Sequence, residues 1–286
     1  MTTKYQNPPV IYTVAKLIFA EAIGSYGHDK YKNLLNSLSS LGFDSWSVSK
    51  VMGVQLKQSD NQFTALPANV ERVGYFSDDR RRCVVIDENS IELRLSAYNN
   101  HSEFLDNFKT LLNTCIDNGL AKGNKVREIE LHYVDIFVPD SDNKLKDMFS
   151  SSVTLPMVQF YSDDSDLIKI GVTNFTRILQ TGRSKVSVSL EQFGAVEPNR
   201  RKYLPDNLSE PDPKLTMPLD VERLFKHSEP SEYAIVHTAC GSLIDMDKFD
   251  GEKLRSTLET QYVESRKTFD HMIRPEICEK LWEVSV

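Results

Sequence analysis

Residues 234–284 read AIVHTACGSLIDMDKFDGEKLRSTLETQYVESRKTFDHMIRPEICEKLWEV, and this stretch decides the fold class of the chain. Its β-branched start predicts a strand that ends in the acidic sequence Ile244, Asp245, Met246, Asp247. The next core-facing positions fall on one stripe of an α-helix: Leu254, Leu258, Tyr262, Ser265 and Phe269. Because such a stripe must be buried against another element, we expect this helix to lie on a sheet, with a short docking helix after it.

The rest of the chain alternates the periods of strands and helices in the same way. The predicted strands are 10–19, 48–56, 83–86, 91–95, 126–138, 153–161, 167–172, 185–191 and 233–247. One helix is predicted from Tyr31 to a stop at Gly42. A second begins after Asn100, because Asn100 with Glu103 three positions later forms an N-terminal capping pattern.

This order of elements predicts the α+β class. We expect two related halves, each an antiparallel sheet backed by helices, over residues 1–150 and 151–286. Six of the twelve prolines fall between residues 196 and 230, and proline interrupts both helices and central strands. We therefore interpret 196–230 as an irregular surface segment, here called the proline-rich excursion, with one short helix near 219–226.

The charge balance bears on the choice of partner. The 286 residues include 34 basic and 41 acidic side chains, a formal net charge of −7. Nonspecific binding to a phosphate backbone requires a positive surface, so we do not expect nucleic acid as a free partner. The hydrophobic fraction of 40% and the charged fraction of 26% are typical of a folded globular chain.

The cysteines and apolar runs predict a compartment. Four cysteines are scattered without a CxxC pair, which favours a reducing cytoplasm. No run approaches the ~20 apolar residues of a membrane-spanning helix. The apolar run at residues 10–20 is interrupted by Lys16, and we interpret it as a strand and not as a signal peptide.

Four short segments carry a resemblance to known proteins. They are Pro8-Pro9-Val10, YNNHSEFLDNF at 98–108, LHYVD at 131–135, and the stretch from Ile244-Asp245-Met246-Asp247 to Leu281-Trp282. In this order they resemble a sporadically distributed family of uncharacterised prokaryotic proteins. Its middle strand usually carries arginine and asparagine where this chain has His132 and Asp135. A patchy distribution implies horizontal transfer, so the resemblance implies a role in antiviral defence, immunity or toxin control.

Two aspartates are the candidate metal ligands. Asp245 and Asp247 lie two residues apart near a strand end, so both carboxylates can project from one face and share a divalent cation. This pair supports a metal-dependent hydrolase or nuclease as the alternative function. The competing interpretation is structural, because Asp247 and Asp250 also precede a helix whose first N–H groups need acceptors.

Other constellations are weaker. Asp87, Glu92 and Arg94 have a faint nuclease-like spacing, but alternating charge on the exposed face of a strand explains the last two. A zinc site would need the following widely spaced set: His237, Cys240, His271 and Cys278. No P-loop, GxGxxG, GxSxG or HExxH pattern is present, so we expect no cofactor.

The candidate partner-binding residues lie in a predicted surface loop between the strand at 48–56 and the first predicted hairpin. They are Tyr75, Phe76, Arg80, Arg81 and Arg82. Aromatic and arginine side chains are enriched in protein interfaces, whereas a solvated turn is the competing interpretation of the arginines. With no catalytic constellation, the sequence favours a non-catalytic binding protein that acts through a protein partner, in a prokaryotic antiviral defence or toxin-control module.

Overall fold

The computed structural model describes residues 5–23, 27–59, 62–156, 170–179, 182–194, 197–226 and 232–284, with the side chains of 28 and 51–70 left undescribed. The strands are β1 Val10–Phe19, β2 Ser45–Ser59, β3 Gln62–Phe76, β4 Arg82–Ile86, β5 Ser90–Leu95, β6 Val126–Phe137, β7 Ile170–Ile178, β8 Ser184–Gly194 and β9 Glu232–Met246. The helices are α1 His28–Ser39, α2 His101–Asp117, α3 Gly251–Met272 and α4 Pro275–Leu281. Short 3₁₀ turns occupy residues 145–148, 198–200, 213–215 and 222–224.

The described strands form one antiparallel sheet in the order β2-β3-β4-β5-β1-β6-β9-β8-β7. The α+β class is therefore confirmed. The expectation of a separate sheet for each half is wrong, because β6 pairs with β9 across the predicted boundary and makes the sheet continuous. An internal relation between the halves, and the boundary near residue 150, stay predictions.

Helices cover one face of the sheet, as the sequence of α3 predicts. The buried face of α3 carries Leu254, Leu258, Gln261, Ser265, Phe269 and Met272. Leu254 and Leu258 join the core that α1 and α2 build with the sheet. Asp250 caps α3, and its Oδ1 accepts hydrogen bonds from the N–H groups of Glu252 and Lys253 at 2.9 and 3.1 Å. Asn100 caps α2 in the same way by accepting from Glu103 N at 2.9 Å.

The proline-rich excursion covers the opposite face. Its residues Leu215, Met217 and Val221 pack against apolar side chains from β1, β4, β6 and β9. This cover corrects one expectation: Glu92 and Arg94 do not lie on an exposed strand face but are buried, 6% and 9% exposed. The chain supplies their partners from the excursion and from neighbouring strands.

These partners form a buried ion network. Glu92 accepts from Lys16 Nζ at 2.9 Å and from Arg94 Nε at 2.7 Å. Glu210 of the excursion accepts from Arg94 Nη1 at 3.0 Å and also binds Arg72. Opposite charges that are buried together offset the cost of removing each from water. The network therefore fixes the excursion to the sheet.

The segment before β1 is held from two sides. Gln6 N and Asn7 N donate to the carbonyl groups of Glu283 and Trp282 at 2.7 and 3.0 Å. From the excursion, Arg223 donates to Asn7 Oδ1, Pro8 O and Val10 O at 2.7, 2.6 and 3.0 Å. These contacts position Pro8 and Pro9 beside the helical face of the sheet.

Two sequence predictions differ from the structure. The chain before β4 was expected to be a loop, but it forms β3, which pairs with β2 along its full length. Within the predicted strand 153–161, residues 153–156 lie outside any strand and the remainder falls outside the described residues. No helix in the described ranges is both long and apolar enough to span a bilayer.

Candidate functional site

A cavity of about 330 Å³ lies between the helical layer and the sheet, and it is partly open to solvent. Its walls come from the segment before β1, the start of α2, the middle of α3, and strands β6 and β9. Most of its side chains are aromatic or apolar, which is typical of small-ligand sites. The aromatic members are Tyr5, Tyr98, Tyr133, Tyr262 and Phe269.

Asp135 is the unusual residue of this pocket. It lies on β6 among residues that alternate between the two faces, and it shares the helical face with Tyr133 and Phe137. The residue is 6% exposed, and in the described chain no group donates a hydrogen bond to its carboxyl. An acidic group in such surroundings is poorly solvated, so its ionised form is disfavoured.

The electrostatics follow from that burial. Burial raises the pKa of the Asp135 carboxyl to about 7, although the Arg266 guanidinium works in the opposite direction. Arg266 is held elsewhere, since its Nε lies 2.9 Å from Asp270 Oδ1. Burial works against the charge of Arg266, but the Asp270 carboxylate outweighs it and raises the Arg266 pKa. Asp135 is therefore a group of the pocket that titrates near neutral pH.

The aromatic walls are fixed by ring contacts. Tyr98 meets Tyr133 edge to face at a centroid distance of 5.8 Å, and Tyr262 stacks on His101 at 3.9 Å. Burial raises the pKa values of Tyr98, Tyr133 and Tyr262, so their hydroxyls stay neutral. Burial lowers the pKa of His101, which favours its neutral form as well.

Two further polar atoms lie deep in the pocket. Tyr133 Oη and Thr238 Oγ1 are buried and lack hydrogen-bond partners of good geometry within the described part of the chain. Buried polar groups normally have partners, so unsatisfied ones beside an unpartnered carboxyl indicate a place for a polar ligand.

Sequence reasoning did not identify this pocket as a site. All four segments quoted for the resemblance meet here, namely Pro8-Pro9-Val10, the start of YNNHSEFLDNF, the Tyr133 to Asp135 end of LHYVD, and the α3 part of the stretch from Ile244 to Trp282. The available signal was Asp135 itself, a charged residue that alternates with Tyr133 and Phe137 along one face of a strand.

The predicted partner-binding residues lie elsewhere. Tyr75 and Phe76 belong to β3 and are completely buried, with Tyr75 Oη donating to Tyr31 O at 2.9 Å. Their placement in a surface loop is therefore wrong, because pairing of β3 with β4 carries them into the core. Both side chains are buried in this fold, and a partner contact by them stays a prediction.

The three arginines of that prediction have different surroundings. Arg80 donates to Lys214 O at 2.9 Å and lies 3.8 Å from the ring of Phe76, and Arg82 donates to Gly42 O at 3.2 Å. Arg81 is exposed. A partner contact by these arginines stays a prediction.

Asp245 and Asp247 are brought together, with a lysine beside them. Lys125 Nζ lies 2.6 Å from Asp245 Oδ1 and 3.7 Å from Asp247 Oδ1, and both carboxylates are largely exposed. Among the described residues, no group of three or more His, Cys, Asp or Glu side chains is placed to hold a metal ion. The metal-dependent alternative stays a prediction without a contact in its favour.

The four residues considered for zinc are dispersed. His237 is buried against His132, with 3.1 Å between His132 Nδ1 and His237 Nε2. Ser265 Oγ donates to Cys240 Sγ at 3.1 Å, whereas Cys278 donates to Met148 O at 3.3 Å. His271 Nδ1 lies 2.6 Å from Lys267 O within α3, so each of the four side chains has its own local contact.

Comparisons with known proteins add little. No family model and no curated protein matches the sequence. One solved structure, a phage SAM lyase in complex with S-methyl-5'-thioadenosine, is 11% identical over 46% of this chain and 86% of the other, with a TM-score of 0.21. A likeness of that size supports no conclusion about fold or function.

Proposed function

We propose that this chain is a non-catalytic binding protein that recognises a protein partner, and that the pocket around Asp135 receives a group of that partner. The observation that carries the proposal is the Asp135 carboxyl, buried without a hydrogen-bond donor in the described chain and lining a partly open cavity. Groups with strongly perturbed ionisation are concentrated at functional sites.

The buried Asp135 carboxyl lowers the stability of the free chain. An ionised carboxyl that is buried without a partner costs more folding free energy than a neutral residue of the same shape. Such a group is retained where a ligand supplies its missing partner. The aromatic residues around it support the same proposal, because tyrosine is enriched where proteins bind their partners.

The proposed setting is the cytoplasm of a prokaryote, in an antiviral defence or toxin-control module. The resemblance supports the setting, and all four cysteines are free and buried, as expected for a reducing compartment. A nuclease, helicase or toxin gene beside this one would agree with the proposal. Neighbours confined to unrelated housekeeping enzymes would count against it.

The test is comparative co-purification from the native host. The wild-type chain is expected to retain a stoichiometric partner, which Asp135→Asn and Asn99→Trp should lose. Asn99 is exposed at the pocket wall, so a large side chain there obstructs the cavity without altering the core. Asp245→Ala is the control and should keep the partner. Equal recovery with all four proteins would exclude the pocket as the binding site.

A further inference from the structure

The charge balance of the pocket points to the sign of its ligand. Of the residues lining it in the described chain, Arg266 alone carries a fixed positive charge, and Asp270 lies 2.9 Å from its Nε. Its attraction for Asp135 is smaller than the effect of burial. When Asp135 ionises, Arg266 therefore compensates its negative charge only in part.

The walls are suited to a cation. Aromatic rings attract positive groups through their faces, and the pocket contributes rings from three tyrosines around Asp135: Tyr98, Tyr133 and Tyr262. The hydroxyl oxygen of Thr238 is a further unpartnered acceptor in the described structure. Pro8, Pro9 and Val10 add apolar surface along which an aliphatic stem can lie.

We propose that the pocket around Asp135 binds an ammonium or guanidinium group carried on an aliphatic stem, supplied by a lysine or arginine side chain of the partner. This inference rests on the proposed function and names the chemistry of the same site. The net charge of −7 favours the approach of a basic segment. An anionic ligand is disfavoured because it would place a second negative charge beside Asp135.

A neutral amide is the strongest competitor, because a protonated Asp135 can donate a hydrogen bond to it. The two classes respond oppositely to pH. A cation requires the ionised carboxyl, whereas a neutral acceptor requires the protonated one. In the free protein the Asp135 carboxyl has a pKa of about 7, so its ionised fraction falls roughly tenfold from pH 8 to pH 6. The affinity for a cation should weaken by the same factor.

The tyrosines and Arg266 around Asp135 do not change their charge between pH 6 and pH 8. The tyrosine hydroxyls from the segment before β1, the chain before α2, β6 and α3 have raised pKa values and remain neutral. Arg266 stays charged across this range, and the lowered pKa of His101 places its titration below the ordinary value of 6.5. Loss of the pH dependence in Asp135→Asn, which keeps His101, therefore assigns the change between pH 6 and pH 8 to Asp135.

The experiment is calorimetric titration of the full chain with small probes at pH 6 and pH 8. Butylammonium, butylguanidinium and Nα-acetyl-lysine methylamide are expected to bind at pH 8. Butyramide and butyrate should bind at least tenfold more weakly. Asp135→Asn should weaken cation binding at least tenfold and remove the pH dependence, while Asp245→Ala changes neither.

Each contrary outcome has a defined meaning. Butyramide binding as tightly as butylammonium, or cation binding retained by Asp135→Asn, would overturn the inference and leave the proposed partner binding intact. Butylammonium binding without the capped lysine would assign the site to free amines and refute the side-chain source. No binding by any probe would reject the ligand class, whereas the co-purification experiment tests the proposed function independently.

Discussion

Replacing Asp135 by asparagine should stabilise the free protein. The substitution keeps the shape of the side chain and removes its charge. In the folded chain the Asp135 pKa is about 7, against an ordinary value of 3.8. Since one pKa unit corresponds to 1.36 kcal/mol, the ionisable carboxyl costs up to about 4 kcal/mol of folding free energy above pH 7.

The sign follows from proton binding. As pH rises from 3.8 to 7, the unfolded chain releases the Asp135 proton while the folded chain retains it, so wild-type stability falls. Below 3.8 both states hold the proton, and above about 7 the cost is constant. The asparagine variant lacks this dependence. Its advantage over wild type should therefore grow by about 3 kcal/mol between pH 5 and pH 8.

The assay is urea denaturation of both proteins at pH 5 and pH 8. Asp247→Asn is the matched control, because its side chain is 96% exposed and the change should stay within about 0.5 kcal/mol. Other titrating groups are common to all three proteins and cancel in the differences. An Asp135→Asn variant that is no more stable than wild type at pH 8, with an unchanged pH dependence, would refute the reasoning.

Three further predictions concern the stability of the fold that carries the pocket. Glu210→Ala removes the carboxylate that binds Arg72 and one of the two that bind Arg94, and it should cost about 3–5 kcal/mol in urea denaturation. Glu197→Ala breaks an exposed ion pair with Arg200 in the same excursion and should cost about 0–1 kcal/mol; equal losses would contradict the network. Asn100→Ala removes the α2 cap and should cost about 1 kcal/mol, and an unchanged melting curve would show that the cap is dispensable. Burial raises the Glu92 pKa, but Arg94 and Lys16 outweigh burial and lower it to about 2, so the ionised carboxylate stabilises the fold above pH 4.5 and this stabilisation is lost as pH falls toward 2. Glu92→Gln should therefore flatten the acid-unfolding curve between pH 4.5 and pH 2, and a curve parallel to that of wild type would contradict this.

The local elements were predictable because their signals are local. The bounds of β1 were predicted from its β-branched run, and the buried stripe of α3 from its spacing. Gly42 and Gly119 end the first two helices with positive φ angles of 79° and 82°, a conformation that favours glycine. These features depend on residues within one or two turns of chain.

The long-range features were not predictable in that way. The burial of Glu92 depends on Lys16, Arg94 and the excursion, which reaches the sheet from more than a hundred residues away in sequence. The joining of β6 to β9 depends on pairing across the middle of the chain. A period of two cannot tell which strand face will be covered.

The pocket shows the same limit. Its lining comes from sequence segments that no local pattern connects. Among them, only β6 contains a residue, Asp135, whose charge at a core-facing position indicates a site. In the sequence, Asp135 stands out only because the resembling family usually has asparagine there. Its alternation with Tyr133 and Phe137 also places its carboxyl on the helical face of the sheet. Only the assembled sheet and helices show that this carboxyl lacks a donor among the described residues.

The most direct measurement is a carbon-13 NMR titration of the Asp135 carboxyl, with and without saturating butylammonium. The account predicts a midpoint near pH 7 in the free protein and a midpoint at least one pH unit lower with the cation bound. A midpoint near 3.8 in the free protein, or one that butylammonium leaves unchanged, would contradict it.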